Sequence, residues 1–121
     1  MAQGIEAGGH IRGTIRLFDL LAELKGAVDI PIVAAGGIGT GQQMAGALSA
    51  GADGVRIGTR FLAAKESGAH QRYIEALIAA RAEDTVMTEV FSVGWPNAPH
   101  RVLRSCVAAA KAITTDLIGE S

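Results

Sequence analysis

Short apolar runs alternate along this chain with longer stretches in which apolar residues recur every three or four positions. That alternation is the pattern of βαβ units on a parallel sheet. From Ile15 to Gly26 the spacing of Leu17, Leu21 and Leu24, with Phe18 and Leu20 beside them, predicts a helix capped at its end by Gly26. Asp29-Ile30-Pro31-Ile32-Val33-Ala34-Ala35 follows, apolar on both faces as a buried parallel strand is, with Pro31 tolerated only near the start. Gly36-Gly37 ends it. A small-residue helix from Gly41 to Ala50, a turn at Gly51-Ala52-Asp53-Gly54 and a strand Val55-Arg56-Ile57 closed by Gly58-Thr59 repeat the unit. A further helix is predicted over Ala69–Ala82, with Tyr73, Leu77, Ile78 and Arg81 in its pattern, and a strand over Thr85–Phe91. Val93–Pro99, broken by two prolines and a glycine, reads as an irregular loop. A last helix is expected from Arg101 to Ile118, burying Val102, Leu103, Cys106, Val107, Ala110, Ile113 and Leu117. The fold class is therefore α/β.

Length sharpens that picture. The chain has 121 residues, whereas a closed (β/α)8 barrel needs about 250. One domain, or part of one, is the bound, and no linker or low-complexity tract divides it. A net charge of −1 gives no electrostatic case for nucleic acid or anionic lipid. No apolar stretch approaches the roughly eighteen residues of a membrane span, and the start Met1-Ala2-Gln3-Gly4-Ile5 lacks the pattern of a secretion signal. With Cys106 as the single cysteine, no intramolecular disulfide can form, and a buried thiol on a helix in a cytoplasmic protein is expected.

Sixteen glycines against three prolines point to tight backbone turns, so their positions matter. In parallel α/β folds the working groups sit in the loops after the strands, here Glu6 to Gly13, Gly36 to Gly41 and Gly58 to Phe61. The second and third end a strand in glycine just before a helix. This leaves backbone N–H groups converging without a side chain in the way, the arrangement that holds phosphate. Any one of them alone could be only a turn. The first loop adds titratable groups, Glu6 and His10, around Gly8-Gly9. An imidazole there can take a proton near neutral pH. His70 and His100 read as surface histidines, and Glu6 as a polar loop residue or a partner for Arg12, ahead of any catalytic part. The three histidines lack metal-ligand spacing, no serine sits in a nucleophile elbow, and Gly36-Gly37-Ile38-Gly39-Thr40-Gly41 is not a dinucleotide fingerprint in register. No metal is expected.

Ala2-Gln3-Gly4-Ile5-Glu6-Ala7-Gly8-Gly9-His10 closely resembles the sixth-strand segment of nitronate monooxygenases, formerly 2-nitropropane dioxygenases, in which the histidine is the proposed base. Ile30–Ile38 and Gly51–Phe61 are similar to that family's two phosphate-binding strand-and-turn motifs. Glu66-Ser67 and His70 follow as in many members, and Trp95–Arg104 resembles a tail found in one branch. The turn motifs are shared by other FMN barrels, inosine monophosphate dehydrogenases among them; the segment ending in His10 is the more specific one.

The resemblance implies the C-terminal part, about strands six to eight, of an FMN-binding (β/α)8 TIM barrel, a single partial domain over residues 1–121, incomplete on its own. It implies FMN with its phosphate on Gly36, Gly37, Gly58 and Thr59, with Gln3, Ala7, Gly8 and Gly9 near the rest of the cofactor and with Ala35 also among the cofactor-binding residues. His10 would face the substrate. In the family an alkyl nitronate, or a nitroalkane after the histidine removes its α-proton, reacts with O2 through the flavin to give a carbonyl compound and nitrite. Flavin-dependent enoyl-acyl-carrier-protein reductases carry a similar Gly-Gly-His segment and consume a nicotinamide, so that reading stays open. So does a non-catalytic flavin- or phosphate-binding half barrel. The expected partners are the small substrate, O2, and either a second copy of the chain or a chain supplying the earlier strands, since open sheet edges invite pairing.

Overall fold

Leucines at the predicted spacing do form a helix, and its burial organises the first part of the chain. A computed structural model describes residues 1–91 and 94–113. These fall into two compact units, Met1–Gly8 with Gly13–Gly68, and Gly9–Arg12 with the described residues from Ala69 onward.

The first unit carries a parallel sheet of β1 (Ala2–Gln3), β3 (Val33–Ala35) and β4 (Gly54–Arg56), in the order β1-β3-β4. Each crossover, through α1 (Leu17–Leu24) and then α2 (Gly41–Ser49), sets the next strand on the same side of the last. Such single winding builds a barrel wall; a doubly wound sheet would reverse direction. Ala2 pairs with Ala34 and Gln3 with Ala35, while Val33, Ala34 and Ala35 pair with Gly54, Val55 and Arg56. The core beneath the helices combines the alanines Ala2, Ala34, Ala47 and Ala52 with Leu17, Leu21, Ile32 and Ile38, which supply the bulk. Gly26 follows the end of α1 with a positive φ, as a helix stop does.

Two local devices hold this geometry. Thr40 and Gln43 form a reciprocal cap at the start of α2, the hydroxyl accepting from the Gln43 N–H and the amide oxygen accepting from the Thr40 N–H. Asp53 accepts the Ile32 N–H at 2.7 Å while the Ile32 carbonyl accepts the Asp53 N–H at 2.8 Å, which fixes β4 beside the entry to β3. The strand expected over Asp29–Ala35 is shorter than its apolar run. Ile30 is 71% exposed, and Pro31, which lacks an N–H, precedes the paired residues.

The second unit was less legible. It contains α3 (Gln71–Ala79) and an antiparallel sheet in the order β2-β6-β5, formed by β2 (Gly9–His10), β5 (Thr85–Thr88) and β6 (His100–Leu103). The helix expected from Arg101 begins only at Arg104, as α4 (Arg104–Ala112), because residues 100–103 pair with Thr85–Thr88. A run such as Arg-Val-Leu suits either period, and the partner strand decides. Within α4, Ala110 is buried and Cys106 is a half-buried free thiol, whereas Ile113 is exposed; Leu117 and Ile118 lie outside the described residues.

Burial pushes the Tyr73 phenol above its ordinary value, with Cys106 adding to the rise. The folded unit therefore keeps this proton longer than the unfolded chain does. Above about pH 10 the unfolded state loses it first, and stability falls until the folded phenol also ionises. Tyr73→Phe is expected to flatten that alkaline loss in a denaturation series at rising pH; an unchanged slope would show that another group carries it.

Among the described residues, no helix is long and apolar enough to cross a membrane.

Candidate functional site

Parallel strands deliver their loops to one end of the sheet, and in the first unit those loops close on one another. Gln3 and Ala35 are partners at the ends of β1 and β3. Gly36 follows at φ +108°, and a Cβ there would lie 3.0 Å from both the Ala7 nitrogen and the Gly4 carbonyl oxygen. Only glycine tolerates both the backbone angle and that approach. Gly37 abuts Glu6, and a Cβ on Gly8 would collide with the Thr59 hydroxyl. The loop after β1 thus reaches both the Gly36-Gly37 turn and Thr59. Of the predicted cofactor residues, Gln3, Ala7, Gly8, Ala35, Gly36, Gly37, Gly58 and Thr59 form one contiguous cluster. Ala7 and Ala35 are buried, so they shape it from beneath; Gly37, Gly58 and Thr59 are exposed.

This cluster suits an anion on two grounds. The space beside Gly58 is open, and Thr59 begins a 3-10 turn (Thr59–Ala63), whose first N–H groups have no partner within the turn. Glu6 borders the cluster, and its two oxygens accept the Leu17 N–H at 3.1 and 3.4 Å. Arg16, the residue before α1, supplies no side-chain cap, so Glu6 serves as one from eleven residues upstream. Glu6, read from the sequence as a polar loop residue or a partner for Arg12, thus makes a backbone contact. Glu6→Ala is expected to cost about 0.5–2 kcal/mol of stability, read from a denaturant midpoint, and Glu6→Gln clearly less. Equal losses for both would argue against the cap.

A cavity of about 110 Å³ lies against this loop end, lined by Glu6, Leu17, Phe18, Gly36, Gly37, Ile38 and Gln43. Sites for drug-sized ligands run to roughly 300–1,000 Å³, so this hollow holds a small group and not a whole flavin.

His10 and Gly9 belong to the second unit, on β2, where Gly9 pairs with Arg101 and His10 with His100. The exposed His10 ring stacks on Trp95, with centroids 4.5 Å apart and planes at 27°, and meets the His100 ring at 5.1 Å and 47°. His100 was expected at the surface and is instead 4% exposed. Its Nδ1 donates to the Ala98 carbonyl at 2.9 Å, and its ring lies 5.8 Å from that of Phe91. Because a carbonyl only accepts, the neutral ring carries its proton on Nδ1, and the buried Nε2 finds no hydrogen-bond partner. Nothing local in the sequence signals this packing beyond the three ring residues Phe91, Trp95 and His100 standing close together. His70, by contrast, accepts the Arg72 N–H through Nδ1 at 3.3 Å, as the cap of α3. Among the described residues, no group of three His, Cys, Asp or Glu side chains could hold a metal ion.

A singly wound parallel α/β unit with glycine turns at its carboxy-terminal strand ends defines the class as a TIM-barrel-type α/β fold. The family model for nitronate monooxygenase matches residues 1–113, and the chain belongs to that family. The nitronate monooxygenase npaC of Metarhizium robertsii is 42% identical over 107 residues, covering 78% of this chain and 30% of that protein. Among solved structures, FabK from Thermotoga maritima superposes with a TM-score of 0.75 at 43% identity, over 84% of this chain and 31% of its own. Nitroalkane oxidase from Streptomyces ansochromogenes does so with a TM-score of 0.71 at 45% identity, over 84% and 31%. The chain thus spans less than a third of these relatives.

Proposed function

We propose that this chain is the FMN-phosphate part of a nitronate monooxygenase, a single partial-barrel domain in which β1, β3 and β4 are the sixth, seventh and eighth strands of a (β/α)8 barrel. The observation that carries the reading is the convergence of Gly8, Gly36, Gly37 and Thr59 at the carboxy-terminal ends of three singly wound parallel strands. Backbone N–H groups at Gly36, Gly37, Gly58 and Thr59, with the Thr59 hydroxyl, hold the phosphate; Gln3, Ala7, Gly8, Gly9 and Ala35 border the remainder of the cofactor. FMN, when bound, supplies the redox chemistry that links the nitronate to O2. For a neutral nitroalkane, His10 takes the α-proton: the C–H bond breaks, an N–H bond forms on the imidazole, and the electron pair moves onto the nitro group to give the nitronate.

The test is titration of the purified chain with FMN, followed by flavin fluorescence, and then nitrite release from a small alkyl nitronate. Saturable binding with nitrite release that needs no nicotinamide is the expected result. Gly36→Val should abolish binding, since the added side chain meets Ala7 and Gly4. The likeness to FabK is consistent with a second reading, an enoyl-acyl-carrier-protein reductase-like enzyme, which FMN binding with NAD(P)H oxidation and no nitrite would favour. Binding without turnover would leave a flavin-holding half barrel, and binding absent even in the presence of the earlier strands would overturn the cofactor assignment. Pairing through open strand edges, with a second copy or with those earlier strands, is part of the proposal; a dispersed monomer in light scattering would remove the self-pairing form of it.

A further inference from the structure

An exposed histidine on a two-residue strand has several side-chain rotamers open to it, and a base that removes a proton from carbon must hold one. His10 is contacted by Trp95 at 4.5 Å and by His100 at 5.1 Å. Both partners are anchored. The loop carrying Trp95 turns at Asn97, which has φ +56°, and the Pro99 carbonyl accepts the Ile11 N–H at 2.9 Å, extending the pairing of β2 with β6. His100 is locked by its bond to Ala98 and by Phe91. Its buried Nε2 has no hydrogen-bond partner, and its ring meets that of His10 from the paired strand.

We propose that Trp95 and His100 are positioning residues for His10, Trp95 clamping the imidazole by stacking and His100 backing it from the paired strand. The inference rests on the reading of His10 as the base, and it predicts a role for the Trp95–His100 segment that the phosphate-holding turns do not need. Trp95 is 53% exposed, so replacing it leaves the core intact.

The chain contains one tryptophan, which makes the contact measurable without cofactor. In histidine-labelled protein, the His10 ring protons should resonate upfield under the indole ring current, in one dominant rotamer. In Trp95→Ala they should move downfield, toward the positions of an imidazole with no indole beside it, and in Trp95→Phe return part of the way. His10 signals indifferent to Trp95→Ala would overturn the proposal. With FMN and the full enzyme, Trp95→Ala is expected to lower nitroalkane oxidation relative to nitronate oxidation by about 10²-fold, the scale of a misplaced reacting group. Trp95→Phe should recover most of that ratio, and His100→Phe, which keeps a ring, more of it than His100→Ala. Equal loss on both substrates would mark a structural role and sink the inference. The base reading fails separately: His10→Ala would then keep full nitroalkane oxidation, whatever the ring-current result.

Discussion

His10→Ala is expected to lower oxidation of a neutral nitroalkane by about 10²- to 10⁴-fold, the range ascribed to a positioned general base, with a much smaller loss on a preformed nitronate. The nitronate has already lost its α-proton, so the step at His10 is bypassed. FMN affinity should hold nearly constant, because the turns proposed to hold its phosphate belong to the first compact unit and their geometry does not use the imidazole. Steady-state rates on the paired substrates, with a flavin titration of each variant, check all three statements. A similar loss on both substrates would mean that His10 shapes the site and does not abstract the proton.

Leu21→Ala should have the largest effect on stability. Leu21 is 1% exposed, at the centre of a cluster that packs Leu17, Ile32 and Ile38 with four alanines, so its truncation leaves a buried cavity. The expected cost is about 2–5 kcal/mol, a large share of the roughly 5–15 kcal/mol that holds an ordinary domain together. Since α1 also closes over β1 and β3, loss of its anchor should loosen the glycine turns after them, and the proposed FMN binding should weaken in parallel. Ile30→Ala, at a residue 71% exposed, serves as the control and should stay within about 0.5 kcal/mol of the parent. Denaturant midpoints that move alike for the two variants would contradict this account of the core.

Assignment to the family came through short segments whose chemistry is local. Glycine pairs after apolar runs mark turns wherever they occur, and the order Glu-Ala-Gly-Gly-His is readable without coordinates. Relatives carrying the nitronate monooxygenase and nitroalkane oxidase names support that reading at the level of the family.

What the sequence determined by itself was therefore whatever depends on residue type and nearby spacing. The leucine period of α1, the small-residue helix α2 and the glycine stops after β3 and β4 all fall within a few residues of one another, and periodicity captures them. Tertiary structure decided the rest. Glu6 caps a helix eleven residues away, β2 exists only because Gly9 and His10 find Arg101 and His100, and residues 100–103 are a strand only because Thr85–Thr88 lies beside them. His100 is buried for the same reason: its neighbours come from β2 and from the end of β5 onward, and no local pattern encodes that meeting. Side-chain periodicity reports which face of an element turns inward; which distant segment covers that face is settled only when the chain closes on itself.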